Sequence, residues 1–184
     1  MNAIDLNSNP QLGRQVRQLY LEAFPKEERV PWWLLRLNAR RQGIDLTAWV
    51  EGETLLGFTS SVTTDKLHFL LFFAVPEGRR GTGCGSAILG DLRQTYDTIV
   101  LNMELLDPEA ENYPQRQRRF RFYQKNGFFD TCYHVWEVGG KFRVLSTNSN
   151  LDVEAYREVF RKLSLGFWNV KILSQDLRLS RRLD

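Results

Sequence analysis

The nine residues Leu67-His68-Phe69-Leu70-Leu71-Phe72-Phe73-Ala74-Val75 carry a single polar side chain, His68. A run of that length, rich in aromatic residues, suits a central strand covered on both faces. It passes through Pro76 into a glycine-rich loop ending at Gly85, and then into Ile88, Leu89, Leu92 and Tyr96 at helical spacing. Thr98 to Leu106 follows as a second strand, with Ile99, Leu101 and Met103 on one face. A strand joined to its neighbour through a helix is joined by a crossover, and the two run parallel. The order before the run is different. Leu46 to Val50 and Leu55 to Val62 are linked to each other and to the run by the turns Glu51-Gly52-Glu53 and Thr64-Asp65-Lys66, which makes an antiparallel meander. The expected fold is mixed α/β (α+β), one central twisted and mostly antiparallel sheet with a parallel pair at the glycine loop, flanked by helices.

Local signals fill in the rest. Asn9 and Pro10 open a helix whose apolar stripe is Leu12, Val16, Leu19, Tyr20, Ala23 and Phe24, and Pro25 stops it. Lys26 to Val30 is charged and irregular. A short helix follows Pro31, with Trp32, Leu35 and Trp33 as its candidate inward-facing residues, and Gly43 ends it. Asn112 and Gln115 form a capping pair around Pro114, so a helix is expected to Asn126 with Gly127 as its cap. Phe128 to Val138, the turn Gly139-Gly140 and Lys141 to Leu145 read as a hairpin. Asp152 to Leu163 is helical, Phe167 to Leu173 is a last strand, and the tail from Ser174 is polar.

At 184 residues the chain fits one domain, 1–184, with a core at about 46–145 and extensions at 1–45 and 146–184. Lys plus Arg is 25 against 22 Asp plus Glu, a net charge of +3, too mild to imply a nucleic acid partner. Cys84 and Cys132 are too few for a disulfide scaffold. No stretch approaches the ~20 apolar residues of a membrane span, and Met1 to Pro10 has no leader-like pattern. A cytoplasmic protein with no membrane contact is expected.

Arg79-Arg80-Gly81-Thr82-Gly83-Cys84-Gly85-Ser86 places three glycines at alternate positions between a buried strand and a helix. Such glycines let a ligand approach the backbone, and the helix start adds positive field, which together suit phosphate. A P-loop is excluded because no Lys follows the glycines. A dinucleotide fingerprint fails because Ile88 or Ser86 falls where Gly or Ala is needed. The form R-x-x-G-x-G is met by Arg80, Gly83 and Gly85. With Val75 to Ser86 as its frame, this loop resembles the acetyl-CoA pyrophosphate loop of the GNAT N-acetyltransferases. Arg121-Phe122-Tyr123-Gln124-Lys125-Asn126-Gly127-Phe128 resembles the same family's F-Y-x-x-x-G-F segment, and one helix and one strand separate the two. The likeness covers about Leu46 to Phe129. The loop Asp107 to Asn112 is longer than usual for the family.

The resemblance implies a GNAT-like fold with a splayed parallel pair, acetyl-CoA as co-substrate, and direct acetyl transfer to a small amine or peptide acceptor, without a metal. It puts the main chain of Phe73, Ala74 and Val75 beside the thioester and pantetheine, and the amides of Arg80, Gly81, Thr82, Gly83, Cys84, Gly85 and Ser86 around the pyrophosphate. Tyr123 matches the acid that protonates the leaving thiolate, and Glu104 is the candidate base. Residues 1–45 become the acceptor side, where Glu27, Glu28 and Trp32 are candidates for acceptor binding. His68 reads better as a structural histidine, and Cys84 as a small loop residue. Arg116, Arg118, Arg119, Arg121 and Lys125 read as a solvated face, although a nucleic acid contact is the rival there. A non-catalytic acyl-CoA-binding regulator of the same fold is the other rival. Lys141 to Leu173 could supply a homodimer contact.

Overall fold

The computed structural model describes residues 1–137, 140–164 and 171–173. It holds eight strands, β1 (Asn2–Asp5), β2 (Ile44–Glu51), β3 (Thr54–Thr63), β4 (His68–Ala74), β5 (Ile99–Glu104), β6 (Phe129–Glu137), β7 (Gly140–Ser146) and β8 (Lys171–Leu173). The helices are α1 (Pro10–Ala23), α2 (Trp32–Asn38), α3 (Cys84–Thr95), α4 (Tyr113–Lys125) and α5 (Val153–Leu163). All strands lie in one sheet of order β1-β2-β3-β4-β5-β7-β6-β8. Every described pair is antiparallel except β4–β5. This is the expected mixed sheet with its single parallel pair.

The sheet is covered on both sides. The side chains of Leu46, Ala48, Phe58, Phe72 and Ala74 pack with Val16, Leu19 and Tyr20 of α1 and Leu35 of α2. The same face continues through Val62, Phe69, Val100 and Val144 onto Tyr156, Val159 and Phe160 of α5. The opposite face carries Leu70, Ile99, Leu101, Met103 and Leu145 against Ile88, Leu89 and Leu92 of α3 and Tyr123 of α4. A run buried on both faces is therefore what Leu67 to Val75 forms.

Three local expectations change. α2 stops at Asn38 with Ala39 as its C-cap, short of Gly43. β1 was not foreseen, because Asn2-Ala3-Ile4-Asp5 is too short to show a period; it forms by pairing with β2, Ile4 opposite Ala48. The capping pair at α4 does not form. Asn112 stands at the N-cap position with φ −95 and ψ 20, but its side chain bonds no N–H of the helix start. Its Oδ1 accepts instead from Arg116 Nε at 2.6 Å. The turn at Gly139 and the part of the last strand before Lys171 lie outside the described residues, as does the tail from Ser174. Among the described residues no helix is long and apolar enough to cross a membrane.

Candidate active site

The parallel ladder is short. It pairs His68 with Ile99, Phe69 with Val100 and Leu70 with Leu101, and then stops. Beyond that point β4 stays with β3, Phe72 opposite Ser60 and Ala74 opposite Phe58. β5 stays with β7, Asn102 opposite Val144 and Glu104 opposite Phe142. The strands part at Leu71, where the β3–β4 register shifts by one residue, from Leu70–Ser61 to Phe72–Ser60. An extra residue of this kind bends its strand and increases its twist. The result is a crevice open at the C-terminal ends of β4 and β5. Phe73, Ala74 and Val75 supply main chain along its β4 wall.

The glycine loop stands at the mouth of that crevice. Glu77–Arg79 forms a 3-10 turn, and the chain then enters α3 through Gly81 at φ +79 and Gly83 at φ +91. Both angles lie in the left-handed region that glycine tolerates. Gly83 caps α3 without any side-chain bond to the helix start. Within the loop, Arg80 N–H donates to Glu77 O at 3.0 Å and Thr82 N–H to Arg79 O at 3.4 Å. The N–H groups of Gly81, Gly83, Cys84, Gly85 and Ser86 have no acceptor among the described residues. Thr82 Oγ1 donates to Arg79 O at 2.7 Å and lies 3.2 Å from Cys84 Sγ, which fixes the loop. At Gly85 a Cβ would come within 3.1 Å of the Phe122 ring and 3.6 Å of Phe73, so its bareness lets α3 sit against α4 and β4. Unbonded amides at a helix start are a ready anion site.

Across the crevice stands α4. Gly127, at φ +81, ends it as the sequence predicts. Tyr123 in its last turn is 8% exposed and meets Phe122 and Phe128 edge-on, with centroids 5.3 and 5.5 Å away. Burial pushes its phenol up to about 12; Arg119 pulls it down and Glu104 pushes it further up. Phe120 lies instead under the Arg143 guanidinium, 5.0 Å from it. Glu104 ends β5, its side chain 14% exposed, and Oε2 accepts from Arg119 Nη1 at 2.5 Å. Arg119 precedes Tyr123 by one helical turn, which puts the two on one face of α4.

The third side comes from the segment between α1 and α2. Glu28 is half-buried in the 3-10 turn Lys26–Glu28, whereas Glu27 beside it is exposed. Burial raises the Glu28 pKa, Glu104 raises it further, and Arg119 and Arg116 oppose the rise. Glu28 therefore lies within electrostatic reach of Glu104, Arg119 and Arg116, and of these groups Glu104 and Arg119 are in contact. Trp32 is half-buried and turned toward Tyr20, 6.0 Å between centroids, so it packs on the α1 core. Trp33, its neighbour, is 66% exposed.

His68 lies at the opposite end of β4. Its ring is stacked on Tyr96 at 3.8 Å and its Nδ1 is 3.0 Å from Thr63 Oγ1. Sequence reasoning missed Arg119 as a partner of Glu104 and missed the extra residue at Leu71. The spacing of Arg119 and Tyr123 was a usable signal for the first; the second leaves none in an unbroken apolar run. Among the described residues no group of His, Cys, Asp and Glu could hold a metal ion.

No family model matches the sequence. Over 112 residues the chain is 26% identical to a protein named as an acetyltransferase, YjbC of Bacillus subtilis (strain 168). That alignment takes in 61% of this chain, which spans about half the length of the relative it matches, 50%. A chain described as a GNAT-family acetyltransferase from Bacteroides thetaiotaomicron superposes with a TM-score of 0.73 at 24% identity, over 91% of this chain and all of that one. An aminoglycoside 6'-N-acetyltransferase complexed with coenzyme A superposes at 0.64 with 18% identity, over 83% of this chain and all of that one. The strand order, the parted β4–β5 pair and the glycine loop at its mouth are those of a GNAT fold, the fold of the N-acetyltransferases that this chain resembles.

Proposed function

We propose that residues 1–184 act as one domain that binds acetyl-CoA along the β4–β5 crevice and moves its acetyl group to a primary amine. The observation that carries this is the set of five unbonded amides, Gly81, Gly83, Cys84, Gly85 and Ser86, at the mouth of a crevice whose far side holds a phenol and two carboxylates. The amides and the start of α3 take the pyrophosphate, joined by those of Arg80 and Thr82 where the loop adjusts. Main-chain groups of Phe73, Ala74 and Val75 hold the thioester and stabilise its oxyanion. Tyr123 keeps its proton at neutral pH, since its phenol sits at about 12, and offers it to the leaving sulfur. Glu104 and Glu28 line the approach of the amine, with Glu27 and Trp32 on the acceptor side. A fold shared with an aminoglycoside acetyltransferase supports a small amine as acceptor, and a peptide amine fits the same chemistry. The scheme needs no metal.

A second function has one observation in its favour: Tyr123 is only 8% exposed and flanked by two phenylalanines, which suits a non-catalytic acyl-CoA binder. One experiment separates the two. Acetyl-CoA should raise the melting temperature, and a panel of primary amines should include one that releases free thiol in its presence. A melting temperature unmoved by saturating acetyl-CoA defeats both functions. A rise without thiol release from any amine leaves the binder.

A further inference from the structure

We propose that Glu28 accepts the proton that an acceptor ammonium must lose before it attacks, while Arg119 holds Glu104 as a fixed neighbour. This rests on the acetyl-transfer function proposed above.

Of the charged groups Glu28, Glu104, Arg116 and Arg119, three are committed. Glu104 Oε2 is bonded to Arg119 Nη1 at 2.5 Å. Arg116 donates through Nε to Asn112 Oδ1 at 2.6 Å and through Nη1 to Leu105 O at 2.9 Å. Glu28 is half-buried; its backbone N–H donates to Pro25 O at 3.1 Å, and its carboxylate makes no hydrogen bond or ion pair to any described residue. It sits on the acceptor side, between the end of α1 and the start of α2. A half-desolvated carboxylate with a like charge nearby and no partner gains by meeting a cation or a proton. Glu104 has already met its cation, and Glu27 is exposed, in water.

Burial is the largest single cause that lifts the Glu28 pKa; of the charges facing it, Glu104 and Glu27 lift it further and Arg119 and Arg116 oppose the rise. A base moved toward neutrality is a better base for an ammonium whose own pKa is near 10. The proton balance closes. The ammonium gives one proton to Glu28, which later returns it to water. The nitrogen lone pair forms the N–C bond, the C–S bond breaks, and its electron pair stays on sulfur. Sulfur takes the Tyr123 proton, and the second proton of the nitrogen replaces it. One proton is released for each acetyl group transferred.

The test is the pH profile of kcat/KM for the full chain with acetyl-CoA and three amine probes: 1,4-diaminobutane, kanamycin and an alanine-starting hexapeptide. Glu28→Gln should lower kcat by roughly 10²-fold or more and remove the acid limb. Glu22→Gln, an exposed change on α1, should leave the rate within about two-fold. Glu104→Gln should keep the limb but move it to lower pH, because the Glu104 charge is one of the groups that lifts Glu28. An acid limb unchanged in Glu28→Gln overturns the proposal and leaves acetyl transfer standing. No transfer by the natural chain to any probe overturns acetyl transfer to these amine classes, and the proposal with it. A carboxyl carbon NMR titration is the second measurement: Glu28 should titrate above the ordinary glutamate value of about 4.3, and a titration at or below that value overturns the proposal whatever the kinetics show.

Discussion

Acidification from pH 7 to pH 5 should cost this fold about 2 kcal/mol through His68 alone. The ring is 2% exposed and stacked on Tyr96. Nδ1 is engaged with Thr63, and Nε2 is buried without a partner among the described residues. A protonated ring would bury a second N–H donor with nothing to receive it, so burial lowers the pKa to about 4. The unfolded chain keeps a value of about 6.5. The folded pKa lies below the unfolded one, so the stability is fully present above about 6.5 and is lost as the pH falls toward about 4. The slope approaches about 1.4 kcal/mol per pH unit inside that window, and integration from pH 7 to 5 gives about 2 kcal/mol. Urea unfolding at both pH values, on the natural chain and on His68→Asn, isolates the effect because the carboxylates titrate in both. The advantage of the natural chain should shrink by about 2 kcal/mol at pH 5. A difference constant to within about 0.5 kcal/mol would refute the buried neutral histidine. It would also reopen His68 as a group that titrates near neutrality.

Gly83→Asp should abolish CoA binding, because a carboxylate would stand at the anion site and a side chain would strain the φ of +91; a folded variant with unchanged CoA affinity refutes the loop assignment. Tyr123→Phe should slow acetyl transfer by roughly 10²–10⁴-fold with little change in acetyl-CoA affinity, measured by thiol release and calorimetry; an unchanged rate removes the phenol from the chemistry. Gly57→Ala should destabilise the fold by about 1–3 kcal/mol in urea unfolding, since its Cβ would lie 2.8 Å from Ala74 O and 2.9 Å from Ile88 Cδ1. An unchanged midpoint there would show that β4 and α3 can yield at the crevice.

The sheet and the glycine loop were legible because their signals are local. Leu67 to Val75 reads as a strand buried on both sides, and alternate glycines before Ile88 read as a turn into a helix whose first amides are exposed. Gly127 was legible for the same reason, since a left-handed cap is a single-residue requirement. The Asn112 cap was misread because the signature looks at neighbours three residues apart, while Arg116, four residues on, takes the side-chain oxygen. Glu28 and Glu104 lie far apart in the chain and on elements of different kind. Their proximity is set by how the segment after α1 folds over the sheet, with Tyr20 OH donating to Val30 O at 3.0 Å, and no spacing in the sequence encodes that.

The crevice exists because β4 does not keep strict alternation. Phe69 faces α5 and Leu70 faces α3. An unbroken period of two would turn Phe72 toward α3 and Phe73 toward α1. The extra residue at Leu71 reverses this. Phe72 instead meets Tyr20 and Phe24 of the α1 side at 5.0 and 4.9 Å, and Phe73 meets Phe122 of α4 at 6.4 Å. The same irregularity that gives both rings their apolar partners ends the β4–β5 ladder after three pairs. Backbone groups from Leu71 to Val75 that a longer ladder would consume are left along the crevice wall. This accounts for apolar side chains on a strand placed beside the chemistry: packing fixes the strand through Phe72 and Ala74, and the main chain is what remains to meet a ligand.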